Sequence, residues 1–255
     1  MSAESIVVFL AAFAGGVVNS VAGGGTLISF PALVWIGRDP IVANVTNTVG
    51  LVPASFGAML GYRRELAKSS RWVSLLAVPS LAGGILGAYL LLRTPSRTFS
   101  AIVPYLILFA TLLFAVGDRI AARIHPPAGA SAERWTPGSM AAAVGFQFLI
   151  AVYGGYFGAG IGILMLAALA LIGLADIHEM NAVKSALAIL INGVAACYFA
   201  TSGRVMWSDA LLMAVAATVG GYGGAGMARR LGQPFVRRAV VAIGLAMTVS
   251  LAWRH

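Results

Sequence analysis

Long apolar runs, broken by short polar interruptions, dominate the chain. Segments 4–18, 26–36, 41–61, 72–92 and 99–117 in the first half, and 138–153, 158–175, 182–200, 207–226 and 236–253 in the second, predict helices. A helix needs about 20 apolar residues to cross a hydrocarbon core about 30 Å thick. Most of these runs approach that length, but segment 26–36 makes only roughly 16 Å of helix. The one long polar stretch, 118–137 "DRIAARIHPPAGASAERWTP", carries the Pro, Gly and charge of a linker. The pattern predicts an all-α polytopic membrane protein of about 8–10 membrane segments. Residues 1–117 form one transmembrane repeat, 118–137 a cytoplasmic linker and 138–255 a second repeat.

Within this pattern "NSVAGGGTLISFPAL" (Asn19 to Leu33) stands out. Each glycine weakens a helix by about 1 kcal/mol relative to alanine, so Gly23, Gly24 and Gly25 together break it. In lipid, the backbone groups of such a break must be shielded by protein or line a water-filled cavity. A helix that starts again at Thr26 points N–H groups and a partial positive charge into the protein, a setting that binds anions. A second Gly-rich break, "YGGYFGAGIG", runs from Tyr153 to Gly162.

The two halves match in order. "GGILGA" at 83–88 meets "GGYGGA" at 220–225, 137 positions later, and at the same offset Asn44 meets Asn181, Asn47 meets Lys184 and Arg93 meets Arg230. Upstream the offset is 136, pairing Gly24 with Gly160 and Gly37 with Gly173. The basic loops change place between the halves. Loop 62–71 holds Arg63, Arg64, Lys68 and Arg71, whereas its counterpart holds Arg204 alone; the loop at 93–97 holds two cations and its counterpart at 227–238 holds four. Equivalent loops then lie on opposite sides of the membrane, which requires an odd number of crossings per half and predicts inverted-topology repeats. Five full spans per half satisfy this, as do three spans plus a re-entrant hairpin whose half-length helices meet at the glycines. Positive-inside bias puts the loops at 62–71 and 227–238 and the linker in the cytoplasm, and both termini outside.

Polar residues at membrane depth supply the candidate chemistry. "VANVTNTVG" brings Asn44, Thr46, Asn47 and Thr48, and "HEMNAVKSA" brings Asn181, Lys184 and Ser185. Residues three apart share a helical face, which pairs Asn44 with Asn47 and Asn181 with Lys184. A cation in the bilayer centre costs about 2.5–3.5 kcal/mol on insertion scales. Lys184 therefore snorkels, pairs with Glu179 or Asp176, or awaits an anion. Asn19 and Asn192 suit interhelical hydrogen bonds or substrate contact. Tyr153 and Tyr156 suit interface anchoring, and His178 a solvated turn. Gly83, Gly84, Gly87, Gly220, Gly221 and Gly224 suit close helix packing, and Pro53, Pro79 and Pro104 kinks.

Composition agrees with the pattern. The 255 residues are 60% hydrophobic and 10% charged, against about 25% charged for a soluble domain. The net charge of +9 sits in short loops as topology signals, so nucleic acid is not an expected partner. Three His, no acidic cluster and no metal-ligand spacing leave no enzyme, cofactor or metal to expect. The single cysteine, Cys197, reads as a small buried residue. The N-terminus lacks a basic leader region and reads as the start of the mature protein.

The stretch from Gly15 to Leu66, with "AGGGTLISFP" and "ANVTNT", resembles the first signature region of the TauE/SafE sulfite exporter family, also called the toluene sulfonate uptake permease family. The stretch from Gly154 to Phe199, with "GAGIG" and "NAVKSA", resembles the second. The resemblance implies a multi-pass transporter of the bacterial inner membrane. Its expected substrate is a small sulfur-containing anion such as sulfite, a sulfonate or sulfoacetate, moved outward by alternating access. An anion channel or a carrier of small carboxylates is the alternative. Carried over residue by residue, the resemblance falls on Asn19, Gly23, Gly24, Gly25, Pro31, Asn44, Thr46 and Asn47, and on Gly158, Gly160, Gly162, Asn181, Lys184 and Ser185; the expected substrate site is this set without Pro31 and with Thr26. The second break lacks three consecutive glycines, so the two half-sites are expected to be unequal. Partners are the anion, membrane lipid and, as an open alternative, a second copy in a homodimer.

Overall fold

The computed structural model describes residues 2–21, 24–61, 63–124, 137–171, 174, 176–231 and 233–253. Among them there are eleven helices and no strand: α1 (Ala3–Val21), α2 (Thr26–Trp35), α3 (Pro40–Gly61), α4 (Arg63–Lys68), α5 (Ser70–Arg93), α6 (Ser96–Ile124), α7 (Pro137–Tyr156), α8 (Ile161–Leu171), α9 (Ile177–Ala200), α10 (Trp207–Leu231) and α11 (Gln233–Ala252). Every apolar segment read from the sequence contains a helix, though in 158–175 it begins only at Ile161, after a turn. The polar loop at 62–71 adds the short α4, and α6 runs into the stretch expected as linker; the described part of 118–137 is therefore helical as far as Ile124. Pro31, Pro53, Pro79 and Pro104 lie inside helices that continue through them.

Ser70–Arg93, Ser96–Gly117 and His178–Ala200 are by length and composition sufficient to cross a bilayer. Helices α5, α6 and α10 turn apolar faces outward. Val78, Ile85 and Tyr89 on α5, Tyr105, Phe109, Leu112 and Val116 on α6, and Leu211, Val215 and Val219 on α10 are all exposed. Exposed at helical spacing, such stripes are the surface of a protein solvated by hydrocarbon. Cys197 is exposed on α9 and is not the buried residue expected. Lipid lets an apolar side chain face outward at no cost, so apolar character carries little information about burial here.

Packing partners repeat between the halves. Helix α1 packs on α10 as α7 packs on α5, and α3 meets α10 as α9 meets α5. The hairpin pairs α1–α2 and α7–α8 correspond, as do α2–α11 and α8–α6, while α3–α9 and α6–α11 are self-corresponding pairs. Helices of one half thus meet the counterparts of the helices that the other half meets. The glycine repeats sit at the seams. A β-carbon on Gly83 would lie 2.6 Å from the Phe148 carbonyl oxygen, and one on Gly220 2.2 Å from that of Phe13. Gly87 and Gly16 would strike Val152 O and Ala217 O in the same manner. Two backbones approach so closely there that only hydrogen fits between them.

The caps repeat as well. Asp39 Oδ1 accepts from Ile41 N (2.9 Å) and Val42 N (3.2 Å) at the start of α3. Asp176 Oδ1, 137 residues later, accepts from His178 N (2.7 Å) and Glu179 N (3.4 Å) at the start of α9. Each contributes about 1 kcal/mol to its helix.

Helices α1 and α2 form a hairpin that begins and ends on one face of the bundle. Arg38, just after α2, reaches Glu4 at the start of α1 (3.0 Å) and Asp209 at the start of α10 (3.0 Å). With 19 residues α1 is long, about 28 Å at 1.5 Å per residue; only α2 is half-length.

Candidate functional site

The glycines of the first break are required by contact. Gly24 and Gly25 are buried. A β-carbon at Gly25 would lie 2.4 Å from Gly15 O on α1, and one at Gly24 would lie 2.7 Å from the Phe114 ring on α6. Gly25 has ordinary helical angles, and no side chain caps the start of α2. The break closes its own first turn instead: Leu27 N donates to Gly24 O and Ile28 N to Gly25 O, both at 3.0 Å. Gly23 lies outside the described residues.

The second break uses glycine for a different reason. Helix α7 runs through Gly154 and Gly155, which pack on α5 and α9, and stops at Tyr156. The chain then turns at Gly158 (φ +81°) and Gly160 (φ +79°), a region that residues with a β-carbon rarely enter. Phe157 N and Gly158 N both return to Tyr153 O. The Tyr153 hydroxyl donates to Ala159 O at 2.8 Å and clamps the turn shut. A β-carbon at Gly158 would lie 3.6 Å from Asn192 Oδ1, so that amide sits over the turn.

The two breaks converge on one turn of α6. Gly24 lies against Phe114, and Gly160 lies against Ala110, where an added β-carbon would be 3.6 Å from Ala110 Cβ. Residues four apart lie on the same helix face. Across the gap Phe30 of α2 meets Phe157 of the second break edge-on at 5.3 Å.

Polar side chains from α3 and α9, which pack together, flank the breaks in equivalent ways. On α3, Asn47 accepts from the Ser29 hydroxyl and directs Nδ2 at Thr26 Oγ1 (3.5 Å). On α9, Lys184 donates to Asn181 Oδ1 at 2.7 Å. Its methylenes lie beside Gly162, whose added β-carbon would be 3.4 Å from Lys184 Cδ. Asn47 thus stands to Thr26 as Lys184 stands to Gly162, with Gly162 136 positions after Thr26 and Lys184 137 after Asn47. Glu179 and Asp176, the carboxylates expected as alternatives, make no ion pair with it; among the described residues the ion pairs are those of Arg38. The half-buried Lys184 ammonium therefore has an amide oxygen for a partner and a charge that this amide does not neutralise.

The remaining predicted residues divide. Asn19 lies against Gly25, whose added β-carbon would be 3.3 Å from Asn19 Cβ. Asn44 bridges to the second break, with Nδ2 donating to Tyr156 O at 2.9 Å. The Thr46 hydroxyl turns the other way and accepts from Met206 N at 3.0 Å, tying α3 to the start of α10. Thr48 is bonded to its own helix, and Ser185 is half-buried on α9. Tyr156 reaches Thr94 Oγ1 at 3.2 Å, so both tyrosines read as interface anchors are also bonded to backbone or side chain at the break. The sequence missed Ser29, and it read Tyr153 at the second break as an interface anchor and not as the clamp on Ala159 O. The position of Ser29, three residues after Thr26 on one helical face, is the signal that could have found it.

Comparison with known proteins places the chain in a wider group. The model of the family described as "Sulfite exporter TauE/SafE" matches residues 8–251. A protein of Sinorhizobium named "Probable membrane transporter protein ORF9" is 28% identical over 95% of this chain and 90% of its own length. A "Probable membrane transporter protein" of Haemophilus influenzae is 25% identical, covering 97% and 94%. "Probable membrane transporter protein YfcA" of Escherichia coli is also 25% identical, covering 97% and 89%. No solved structure matches. With a family model spanning nearly all of its length, the chain belongs to the sulfite exporter TauE/SafE family.

Proposed function

We propose that the chain, a membrane transporter by its family, exports a small sulfur-containing anion such as sulfite, a sulfonate or sulfoacetate across the bacterial inner membrane. The observation that carries this reading is the convergence of two helix breaks on one turn of α6, with the Lys184 ammonium beside the second. The start of α2 is buried, carries no capping side chain and presents the positive end of a helix dipole. Asn19, Gly24, Gly25, Thr26, Asn44 and Asn47 line the first half-site. Gly158, Gly160, Gly162, Asn181, Lys184 and Ser185 line the second. An oxyanion of this size matches a site built from helix starts, amides and one ammonium. The recurring packing partners and the exchange of basic loops support inverted repeats, one rocking against the other to expose the anion to alternate sides.

Thermal stabilisation of the purified protein tests the substrate class, because a ligand of the native state raises its stability. Sulfite, a sulfonate and sulfoacetate are compared with carboxylates of similar size. Stabilisation by the sulfur anions supports the reading. Stabilisation by carboxylates alone makes the protein a carboxylate carrier.

A further inference from the structure

The Asn44 side chain is 1% exposed and only half used. Its Nδ2 donates to Tyr156 O, which fixes the orientation of the amide, since only the NH2 end can face a carbonyl. Oδ1 is left buried with no hydrogen-bond partner among the described residues. An acceptor stripped of water and given nothing in return carries its full desolvation cost.

The equivalent oxygen in the second half is not orphaned. Asn181 stands 137 positions on, and its Oδ1 accepts from Lys184 Nζ. Lys184 stands where α3 has Asn47, and Gly162, beside which its methylenes lie, stands where α2 has Thr26. The second half thus brings a tethered cation to this amide oxygen and clears room for its stem. The first half has a shorter neutral Asn47 turned toward Thr26 and Ser29. Its amide oxygen is supplied with no such charge.

We propose that Asn44 Oδ1 is a ligand of a sodium-sized monovalent cation, which binds together with the substrate anion and takes in the first half the place that the Lys184 ammonium holds in the second. The proposal rests on the anion-carrier reading above, because the anion balances the ion's charge. One turn along α3, Asn47 directs its Nδ2 at Thr26 Oγ1, so the first half supplies neutral groups where the second supplies an ammonium. Among the described residues no group of three His, Cys, Asp or Glu could hold a metal ion. Divalent ions favour several carboxylates, whereas neutral oxygens at broken helices suit a monovalent ion. Anion and cation affinities are then linked, each raising the other by the same factor.

The test titrates the purified full chain with sulfite in sodium, potassium and N-methylglucamine chloride at equal ionic strength. Sulfite is expected to bind at least about tenfold more tightly in sodium than in N-methylglucamine, within the usual range of coupling between two sites. Sodium titrated alone should stabilise the protein, with a midpoint that falls by the same factor when sulfite is present. The double variant Thr26→Gly, Asn47→Lys rebuilds the arrangement of Gly162 and Lys184 and should bind sulfite without sodium dependence. If it fails to fold, Asn44→Asp serves instead: it keeps the acceptor, adds a charge and should lower the sodium midpoint. Equal sulfite affinity in all three salts overturns the cation site and leaves Asn44 Oδ1 to a water molecule. Stabilisation by sodium with no binding of sulfite in any salt overturns the anion reading and retains the cation site. No response to either overturns both.

Discussion

At the scale of single residues, Lys184 carries the sharpest consequence. Its ammonium is half-buried and held by a neutral amide. An oxyanion placed against it would form a charge-assisted bond in a poorly solvated site. Lys184→Met should therefore weaken anion binding by about 2 kcal/mol or more, roughly thirtyfold in dissociation constant. Lys184→Arg should recover only part of this, because the guanidinium is larger and planar where the ammonium is a compact point charge. Titration of the three proteins at two salt concentrations checks both statements. A Met variant that binds as wild type would leave the anion to neutral donors alone. The sequence showed that Asn44 and Asn47, and Asn181 and Lys184, share faces, because spacing along a helix fixes angle. It could not show that Thr46, between them, turns to Met206 N, nor that the Tyr153 hydroxyl closes the second break on Ala159 O. Those contacts depend on where other elements lie.

At the scale of helices and breaks, glycine serves three separate ends, and substitution distinguishes them. At the seams, alanine at Gly87 or Gly220 would place a β-carbon 2.1–2.2 Å from a carbonyl oxygen of the facing helix. Forcing the pair apart should cost about 1–3 kcal/mol and lower the melting temperature. Gly145 on α7 has nothing within 4 Å of an added β-carbon, and Gly145→Ala should stabilise the protein by up to about 1 kcal/mol. At the turn, Gly160→Ala forces a residue with a β-carbon to φ +79° and should cost about 1–2 kcal/mol. Thermal unfolding in detergent measures all four variants, and a destabilising Gly145→Ala would undo this division. The sequence pointed to both breaks but not to their difference, because Gly24 is required by Phe114 and Gly158 by its own dihedral. The repeated caps Asp39 and Asp176 were legible in principle: each stands one residue before its helix, at the offset of 137 already visible in the asparagines.

At the scale of the whole molecule, helix pairing recurs under exchange of the halves, and the basic loops trade places between them. An inverted arrangement predicts that Ser70→Cys and Thr201→Cys, both exposed, are labelled from opposite membrane faces in a Cys197→Ser background. Labelling from one face would falsify the inversion. Apolar runs made the helices legible because a span needs length and little else. The choice between five spans and three spans with a hairpin was not legible, because it depends on where α1 and α2 end relative to one another. The Arg38 pairs with Glu4 and Asp209 settle that the first hairpin returns to its starting face. The central claim is that the converging breaks carry a sulfur anion by alternating access. Counterflow in proteoliposomes tests it most directly: vesicles loaded with unlabelled sulfite are diluted into a trace of labelled sulfite. A carrier predicts a saturable, transient accumulation of label above equilibrium that requires internal sulfite and is lost in Lys184→Met. Label that only equilibrates, at a rate indifferent to internal sulfite and accompanied by unitary currents, would contradict alternating access and make the protein a channel.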